Sequence, residues 1–234
     1  GSDVIFNAIG SGTVDLYVEY SGTIWGSFMR REGNPGRAEI TEITQTFVRE
    51  RGLNPIGLAG FQNRYALAMR RERAEELGVV SVQDLAPLAS MLSAGGDLEF
   101  FGRSEWKRLQ SLYDLDFARE LTFDAALMYT AVEAGQVDVI SAYSTDGRVA
   151  AYDLVLLEDP RQALLSYDAM LLASSAAAQD PRFTAALAPV LGAISDEAMR
   201  EANKMVDVEG RSVSEATAYL QAIINKPRSS MNLN

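Results

Sequence analysis

Two stretches of the chain repeat one spacing of Gly, Val, Asp, Tyr and Ser, and each copy places a tyrosine where a ligand could bind. The copies run over residues 6–21 and 129–144 with one constant offset. Each is predicted to be a helix, a glycine break and a strand that ends in Tyr-Ser, at Tyr20 and Tyr143. Ligands of open α/β sheets bind outside the carboxyl ends of strands. The repeat predicts two rings facing one cleft, with local packing of both rings as the open alternative.

Two more tyrosines, Tyr65 and Tyr167, lie near the places where the chain is expected to cross between lobes. Four ring faces around one volume would form a cage for a quaternary ammonium group. Such a group has no N–H to donate, so ring quadrupoles hold it, at about 0.5–2 kcal/mol for each face. A carboxylate on the same ligand would require the fork of an arginine.

Composition excludes several other kinds of chemistry. The 234 residues include 21 Lys and Arg against 32 Asp and Glu, a net charge of −11, which disfavours binding to nucleic acid and to anionic lipid. The chain contains no His and no Cys. Catalytic histidines, thiolate nucleophiles and imidazole or thiolate metal sites are therefore excluded. We expect no cofactor and no metal site.

Hydrophobic periodicity predicts strands that alternate with helices, and hence an α/β architecture with mostly parallel sheets. Ser81 is expected to cap a helix that ends near Gly95 and Gly96, and the C-terminal third is expected to be helical over 181–194, 196–206 and 212–224. The predicted strands are 13–20, 53–58, 65–69, 98–101, 137–142, 154–157 and 169–172.

Four sequence runs together resemble a known family. They are VDLYVEYSGT (14–23), GFQNRYALAMR (60–70), VDVISAYSTDGR (137–148) and VDVEG (206–210). In this order they are similar to the glycine betaine/choline (osmoprotectant) substrate-binding proteins of ABC transporters, and the similarity extends from residue 1 to about residue 224.

The resemblance implies a type II periplasmic-binding-protein fold, in which two α/β lobes with a cleft and a hinge close over the ligand. Lobe one is expected at 1–63 and 168–234, and lobe two at 64–167. Members of the family begin with a βαβ portion that precedes the first helix seen here. That N-terminal portion of lobe one is therefore expected to be missing from this sequence.

The resemblance also implies the ligand-binding residues. The family's carboxylate-binding arginine falls on Arg103, for which a surface ion pair with Glu105 or Asp97 is the alternative. The residue that tunes betaine against choline falls on Thr23, where threonine favours a betaine and helix capping is the alternative role. The family's cage tyrosines fall on Tyr20, Tyr65, Tyr143 and Tyr167.

The function implied is non-catalytic. The chain is expected to capture glycine betaine, proline betaine or choline and deliver it to an ABC transporter permease in the membrane. It would act in the periplasm or elsewhere outside the cytoplasm, anchored to the membrane in its precursor, with no nucleic-acid partner. Two alternatives stay open at this point: a sensory domain for the same solutes, and an enzyme on the same scaffold that uses carboxylates such as Asp146 and Glu19.

Overall fold

The structure is a computed structural model of the chain, and it describes residues 2–226. Within them, eight strands form two sheets, with the orders β1-β8-β2 and β5-β4-β6-β3-β7. The strands are β1 (Leu16–Tyr20), β2 (Asn54–Gln62), β3 (Tyr65–Arg70), β4 (Ser93–Asp97), β5 (Arg119–Phe123), β6 (Val139–Tyr143), β7 (Leu154–Leu156) and β8 (Asp168–Ala173).

Helices connect and cover the strands. A π-helical segment, Ile24–Phe28, follows the one-turn helix α2 directly. The helix from Ser212 begins with the capping box of Ser212 and Glu215, which satisfies two backbone donors. The helices are α1 (Ser2–Gly10), α2 (Ser21–Thr23), α3 (Arg37–Arg49), α4 (Arg71–Leu77), α5 (Val82–Leu85), α6 (Ser104–Tyr113), α7 (Ala125–Glu133), α8 (Gly147–Ala151), α9 (Ser175–Ala178), α10 (Pro181–Leu187), α11 (Asp196–Asp207) and α12 (Val213–Ile224). None of them, within residues 2–226, is long and apolar enough to cross a membrane.

The central strand of the first sheet, β8, is buried on both faces. Met170 and Leu172 pack into the cluster that includes residues of α1 and α3. Ala169 and Leu171 point the other way, into the cluster that includes residues of α11 and α12. Side chains alternate along a strand, so a run that is apolar at every position is buried on both sides.

The expectation of mostly parallel sheets is wrong, because the first sheet is antiparallel and the second is mixed. Only the pairs β4–β5 and β4–β6 are parallel among the described strands, and the other pairs are antiparallel. Asn63 and Arg64 carry the chain straight from β2 into β3 without a helix. β3 therefore starts at the edge of its sheet where β6 ends, and it runs in the opposite direction.

Two further predictions around residues 81–101 are wrong. The helix capped by Ser81 ends at Leu85, because Pro87 has no backbone N–H with which to continue the helical hydrogen bonds. Gly95 and Gly96 lie in the buried strand β4, and rings of Phe123 and Phe101 occupy the space where their Cβ atoms would be. The strand expected at 98–101 is a turn and a 3₁₀ helix.

Some predicted boundaries also differ. The helix expected at 181–194 ends at Leu187 and is followed by a 3₁₀ turn containing Pro189. Strand β5 was not predicted, because its sequence Arg-Glu-Leu-Thr-Phe carries two charges at an exposed end. The strands of the first sheet lie within 16–62 and 168–173, and those of the second within 65–156. The lobe boundaries 1–63, 168–234 and 64–167 stay predictions, and residues 227–234 lie outside the described residues.

The two connections between the sheets are hydrogen-bonded to each other. The N–H of Asn63 donates to the carbonyl of Tyr167 at 3.0 Å, and the N–H of Tyr167 donates to the Gln62 side chain at 3.3 Å. Ser144, which follows β6, accepts the N–H of Arg64 and donates to the carbonyl of Gln62, both at 3.0 Å. The end of β6 is thereby fixed to the first connection, next to Tyr143.

Candidate functional site

Tyr65 and Tyr143 form a ring pair at the edge of the second sheet that borders these connections. Tyr65 is the first residue of β3 and Tyr143 the last of β6, and antiparallel pairing sets them directly opposite. Their ring centroids are 4.9 Å apart with planes inclined by 36°, and their hydroxyl oxygens are 3.1 Å apart. Burial is the main cause that raises the pKa of each phenol above 10.0. Both rings therefore remain neutral at physiological pH.

Asp97, at the end of β4, lies beneath both hydroxyls. Its Oδ2 is 3.2 Å from the Tyr65 hydroxyl and 3.3 Å from the Tyr143 hydroxyl. Its Oδ1 accepts the backbone N–H groups of Glu99 and Phe100 at 2.9 and 3.0 Å. These bonds form the turn that replaces the expected strand, and they leave the side chain 7% exposed.

Sequence reasoning missed Asp97 as a site residue and considered it only as a partner of Arg103. One signal could have found it. β4 and β6 are parallel neighbours, and carboxyl ends of parallel strands meet at the same sheet edge. A carboxylate that ends one such strand therefore lies near a tyrosine that ends the next.

Arg103, at the N-cap of α6, lies over the face of Tyr65. Its guanidinium carbon is 5.3 Å from the ring centroid, within the range of a cation–π contact. Its ion pair is with Glu99, at 3.2 Å, and not with Glu105 or Asp97. The Nε atom is buried and has no hydrogen-bond partner among the described residues. The side chain thus retains donor capacity beside the ring pair.

Tyr167 comes from the second connection and joins this cluster through Arg103 and Glu105. Its hydroxyl donates to Glu105 at 3.4 Å. Burial, followed by the charge of Glu105, raises its pKa to about 12, and the Arg103 guanidinium acts in the opposite direction. The ring lies against Gly22, where a Cβ atom would come within 2.6 Å of it. Glycine at position 22 is what allows this approach.

Tyr20 is placed differently from the other three tyrosines. It ends β1, and among the ring pairs of the described residues its partner is Phe61, at a centroid distance of 6.5 Å. Burial is the main cause that raises the pKa of Tyr20, and the charge of Glu19 adds to it. A hydrogen bond with Asn63 acts in the opposite direction. The structure therefore brings together Tyr65, Tyr143 and Tyr167, and leaves Tyr20 beside the first connection.

Thr23 lies one turn after Tyr20, at the end of α2. Its backbone is helical, and its side chain makes no capping hydrogen bond to the π-helical segment that follows. The alternative role of helix capping is therefore not the one that the structure shows. A cavity of about 890 Å³ opens beside these elements, and Arg103 and Tyr167 belong to both its wall and the tyrosine cluster.

The carboxylates considered for catalysis have structural partners. Asp146 caps α8 through the N–H of Arg148 and pairs with the Arg148 guanidinium at 2.9 Å. Glu19 accepts the Tyr17 hydroxyl and the N–H of Tyr20. Within residues 2–226, no group of three or more acidic side chains is arranged to hold a metal ion.

Two α/β lobes joined by adjacent connections, with an aromatic and charged cluster beside them, define a two-lobed solute-binding protein. The chain belongs to the family described as the substrate binding domain of ABC-type glycine betaine transport systems, which it matches over residues 1–221. Members of this family bind solutes for transport and are not enzymes, which excludes the enzyme alternative.

Relatives and solved structures agree with this assignment. The chain is 31% identical over 231 residues to a glycine-betaine-binding protein of Pseudomonas aeruginosa, covering 93% of this chain and 74% of that protein. It is 32% identical over 151 residues to a carnitine transport binding protein of Listeria monocytogenes, covering 63% and 49%. It is 28% identical over 212 residues to an ergothioneine transport permease/ergothioneine binding protein of Helicobacter pylori, covering 89% and 38%. The chain thus spans half or less of the latter two proteins.

The fold is shared with solved binding proteins. A glycine betaine/carnitine/choline ABC transporter structure superposes with a TM-score of 0.89 at 27% identity, covering 96% of this chain and 85% of that one. The apo form of YehZ from Escherichia coli gives a TM-score of 0.80 at 25% identity, covering 94% and 84%.

Proposed function

We propose that the chain captures a quaternary ammonium compound, namely glycine betaine, proline betaine or choline, and delivers it to an ABC transporter permease. The observation that carries this proposal is the ring pair of Tyr65 and Tyr143 above the Asp97 carboxylate. A methylated ammonium cannot donate an N–H, so it binds best to ring faces with negative charge behind them. Tyr167 provides a third face.

Tyr20 completes the cage when the lobes close. It lies at the end of a strand in the first sheet, whereas Tyr65 and Tyr143 are in the second. Hinge closure about the two connections would bring these sheet edges together. In this proposal, Tyr65, Tyr143 and Tyr167 provide three faces before closure, and Tyr20 adds the fourth.

Arg103 and Thr23 are proposed to bind the carboxylate of a betaine. Arg103 already lies over Tyr65, and its buried Nε has no partner among the described residues. A ligand carboxylate would satisfy that donor and form a charge-assisted hydrogen bond. Thr23 adds a hydroxyl from the first lobe and favours a betaine over choline.

The permease partner and the location outside the cytoplasm, in the periplasm, rest on the family and on the relatives' names. Glycine betaine, carnitine and ergothioneine appear in the names of relatives that share 28–32% of their aligned residues with this chain. All three compounds carry a trimethylated nitrogen and a carboxylate, which is the pair of groups that the tyrosines and Arg103 would bind.

Calorimetric titration with glycine betaine, proline betaine, choline, carnitine and ergothioneine tests the proposal. We expect micromolar-range binding of at least one. Tyr143→Ala should weaken it by roughly two- to thirtyfold, the equivalent of one lost ring face. Tyr219→Ala, which removes a half-buried tyrosine from α12, is the matched control and should bind as the wild type does. Absence of heat with every ligand, or an unchanged affinity of Tyr143→Ala, would refute the proposal.

A further inference from the structure

The cavity beside the tyrosines is lined by more basic than acidic side chains, whereas the chain as a whole is acidic. One wall comes from the residues between Gly22 and Gly33, and the other from the start of α6, with Tyr167 between them. Five cationic side chains line it, in a chain whose acidic residues outnumber its basic ones by 32 to 21. We call these five residues the basic mouth: Arg30, Arg31, Arg103, Lys107 and Arg108.

The acidic groups around the cavity do not balance this positive charge. Only Glu32 and Glu105 among the lining residues are acidic, and Glu99 pairs with Arg103 from outside the cavity. The other four cations have no ion-pair partner within 4.0 Å among the described residues. Five cations set against three carboxylates leave an excess of two positive charges around one cavity.

Two of these side chains also have unused hydrogen-bond donors. The Nε atoms of Arg103 and Arg108 are buried and have no partner within the described part of the chain. A buried donor without a partner costs free energy, and an anionic ligand would satisfy it. Ser104, Lys107, Arg108 and Ser111 follow the i, i+3, i+4, i+7 spacing of one helix face, so α6 presents two hydroxyls and two cations to the same space.

The cavity borders the tyrosine cluster, because Arg103 and Tyr167 line the cavity and also belong to the cluster. A ligand held by its ammonium end at the rings would extend its other end into the basic mouth. The volume of about 890 Å³ is in the range of sites for ligands much larger than glycine betaine. An excess of two positive charges matches a phosphate ester, which carries close to two negative charges near pH 7, better than one carboxylate.

We propose that the preferred ligand is a quaternary ammonium compound with a phosphate-type tail, and that the basic mouth binds this tail while the tyrosines bind the ammonium. This inference rests on the proposed function, since it assigns the second half of the same site. The ligand class that this inference names is the phosphate esters of choline, and phosphocholine is the simplest compound with which to test it.

Calorimetric titrations with choline, phosphocholine and inorganic phosphate test the inference. Phosphocholine should bind about tenfold or more tightly than choline, as expected for new charge-assisted hydrogen bonds. The difference should shrink as salt is raised, because the mouth is open to solvent. The double variant Lys107→Gln/Arg108→Gln should lower the ratio of phosphocholine to choline affinity about tenfold. The exposed Arg182→Gln, whose arginine pairs with Asp180 at the N-cap of α10, removes one positive charge outside the cavity lining. It is the control matched in charge to Lys107→Gln and should keep the ratio.

Three results would overturn the inference. They are equal affinities for choline and phosphocholine, an unchanged affinity ratio in the double variant, and binding of inorganic phosphate as tight as that of phosphocholine, which would indicate an independent anion site. Choline binding without a gain for phosphocholine would leave the proposed function intact. Absence of binding by every ammonium compound would instead overturn the proposed function. Lys107→Gln alone changes one exposed side chain, so it should fold and lower the same ratio by a smaller factor.

Discussion

The hydroxyl oxygens of Tyr65 and Tyr143 lie 3.1 Å apart across one paired position of β3 and β6. Each is also within 3.3 Å of the same carboxylate oxygen of Asp97. Two phenolic protons serve these three contacts, so at most two of them are hydrogen bonds at one time when Asp97 is ionised. The Asp97 carboxylate thus lies at the hydroxyl ends of both rings.

Asp97→Asn should weaken the binding of cations specifically. Asparagine keeps the oxygen that accepts the N–H groups of Glu99 and Phe100, but it removes the negative charge at the hydroxyl ends of the rings. We expect the affinity for choline to fall about three- to tenfold. The affinity for dimethylbutanol, the uncharged isostere in which carbon replaces the choline nitrogen, should change much less. Calorimetric competition measures both, and an equal loss for the two ligands would show that Asp97 is only structural.

Gly22→Ala should lower the ligand affinity, whereas Gly26→Ala should not. A Cβ atom at position 22 would lie 2.6 Å from the Tyr167 ring, whereas at position 26 it would meet nothing within 4 Å. Both glycines line the same cavity, so the pair isolates the displacement of Tyr167. Ligand affinity should fall several-fold in the first variant and stay near wild type in the second, by calorimetry. Equal affinities of the two variants would exclude Tyr167 from the site.

Gly147→Ala should lower the free energy of unfolding by about 2 kcal/mol. Gly147 begins α8, and a Cβ atom there would lie 2.4 Å from the backbone of Lys204 on α11. Because the obstacle is backbone, α8 and α11 must separate to accept it. Urea denaturation measures the change. Gly10→Ala, where a Cβ meets nothing within 4 Å, serves as the control, and a similarly stable Gly147→Ala would contradict the packing described.

Ligand binding should be independent of pH from neutrality to about pH 9. Burial raises the pKa of Tyr65 and Tyr143, and that of Tyr167 to about 12, so the rings stay uncharged in that range. The unfolded phenols titrate near pH 10. Their contribution to stability is therefore complete below about pH 10 and is lost as the pH rises towards about 12. Ultraviolet titration of tyrosinate should show late-titrating tyrosines that disappear in denaturant. A tyrosine that titrates below pH 10, with ligand affinity falling over the same pH range, would contradict this prediction.

The ring pair shows what the sequence could and could not predict. The repeat correctly placed Tyr143 at the end of a strand, and periodicity placed Tyr65 at the start of another. Neither pattern shows whether β3 and β6 run in the same or in opposite directions. That depends on how the chain crosses between the sheets at Asn63 and Arg64. That direction sets Tyr65 opposite Tyr143, so the contact could not be read from spacing alone.

The glycines of β4 show a second limit. Gly95 and Gly96 read as the end of a helix, because glycine has poor strand propensity. In the structure, Gly95 leaves room for the ring of Phe123, and Gly96 leaves room for the ring of Phe101. The local sequence pattern does not show either contact. Asp97 ends this misassigned strand, which explains why the family resemblance indicated Arg103 while Asp97 was missed as a site residue.

The central claim is that electron-rich rings hold a cationic nitrogen, and the affinity of choline relative to its uncharged isostere dimethylbutanol tests it most directly. The two ligands have the same shape, so packing contributes almost equally, and the affinity difference reports the attraction between the charge and the site after its larger desolvation cost. Three ring faces and a buried carboxylate predict that choline binds at least about tenfold more tightly. Equal affinities, or tighter binding of the uncharged compound, would show an apolar pocket and contradict the account.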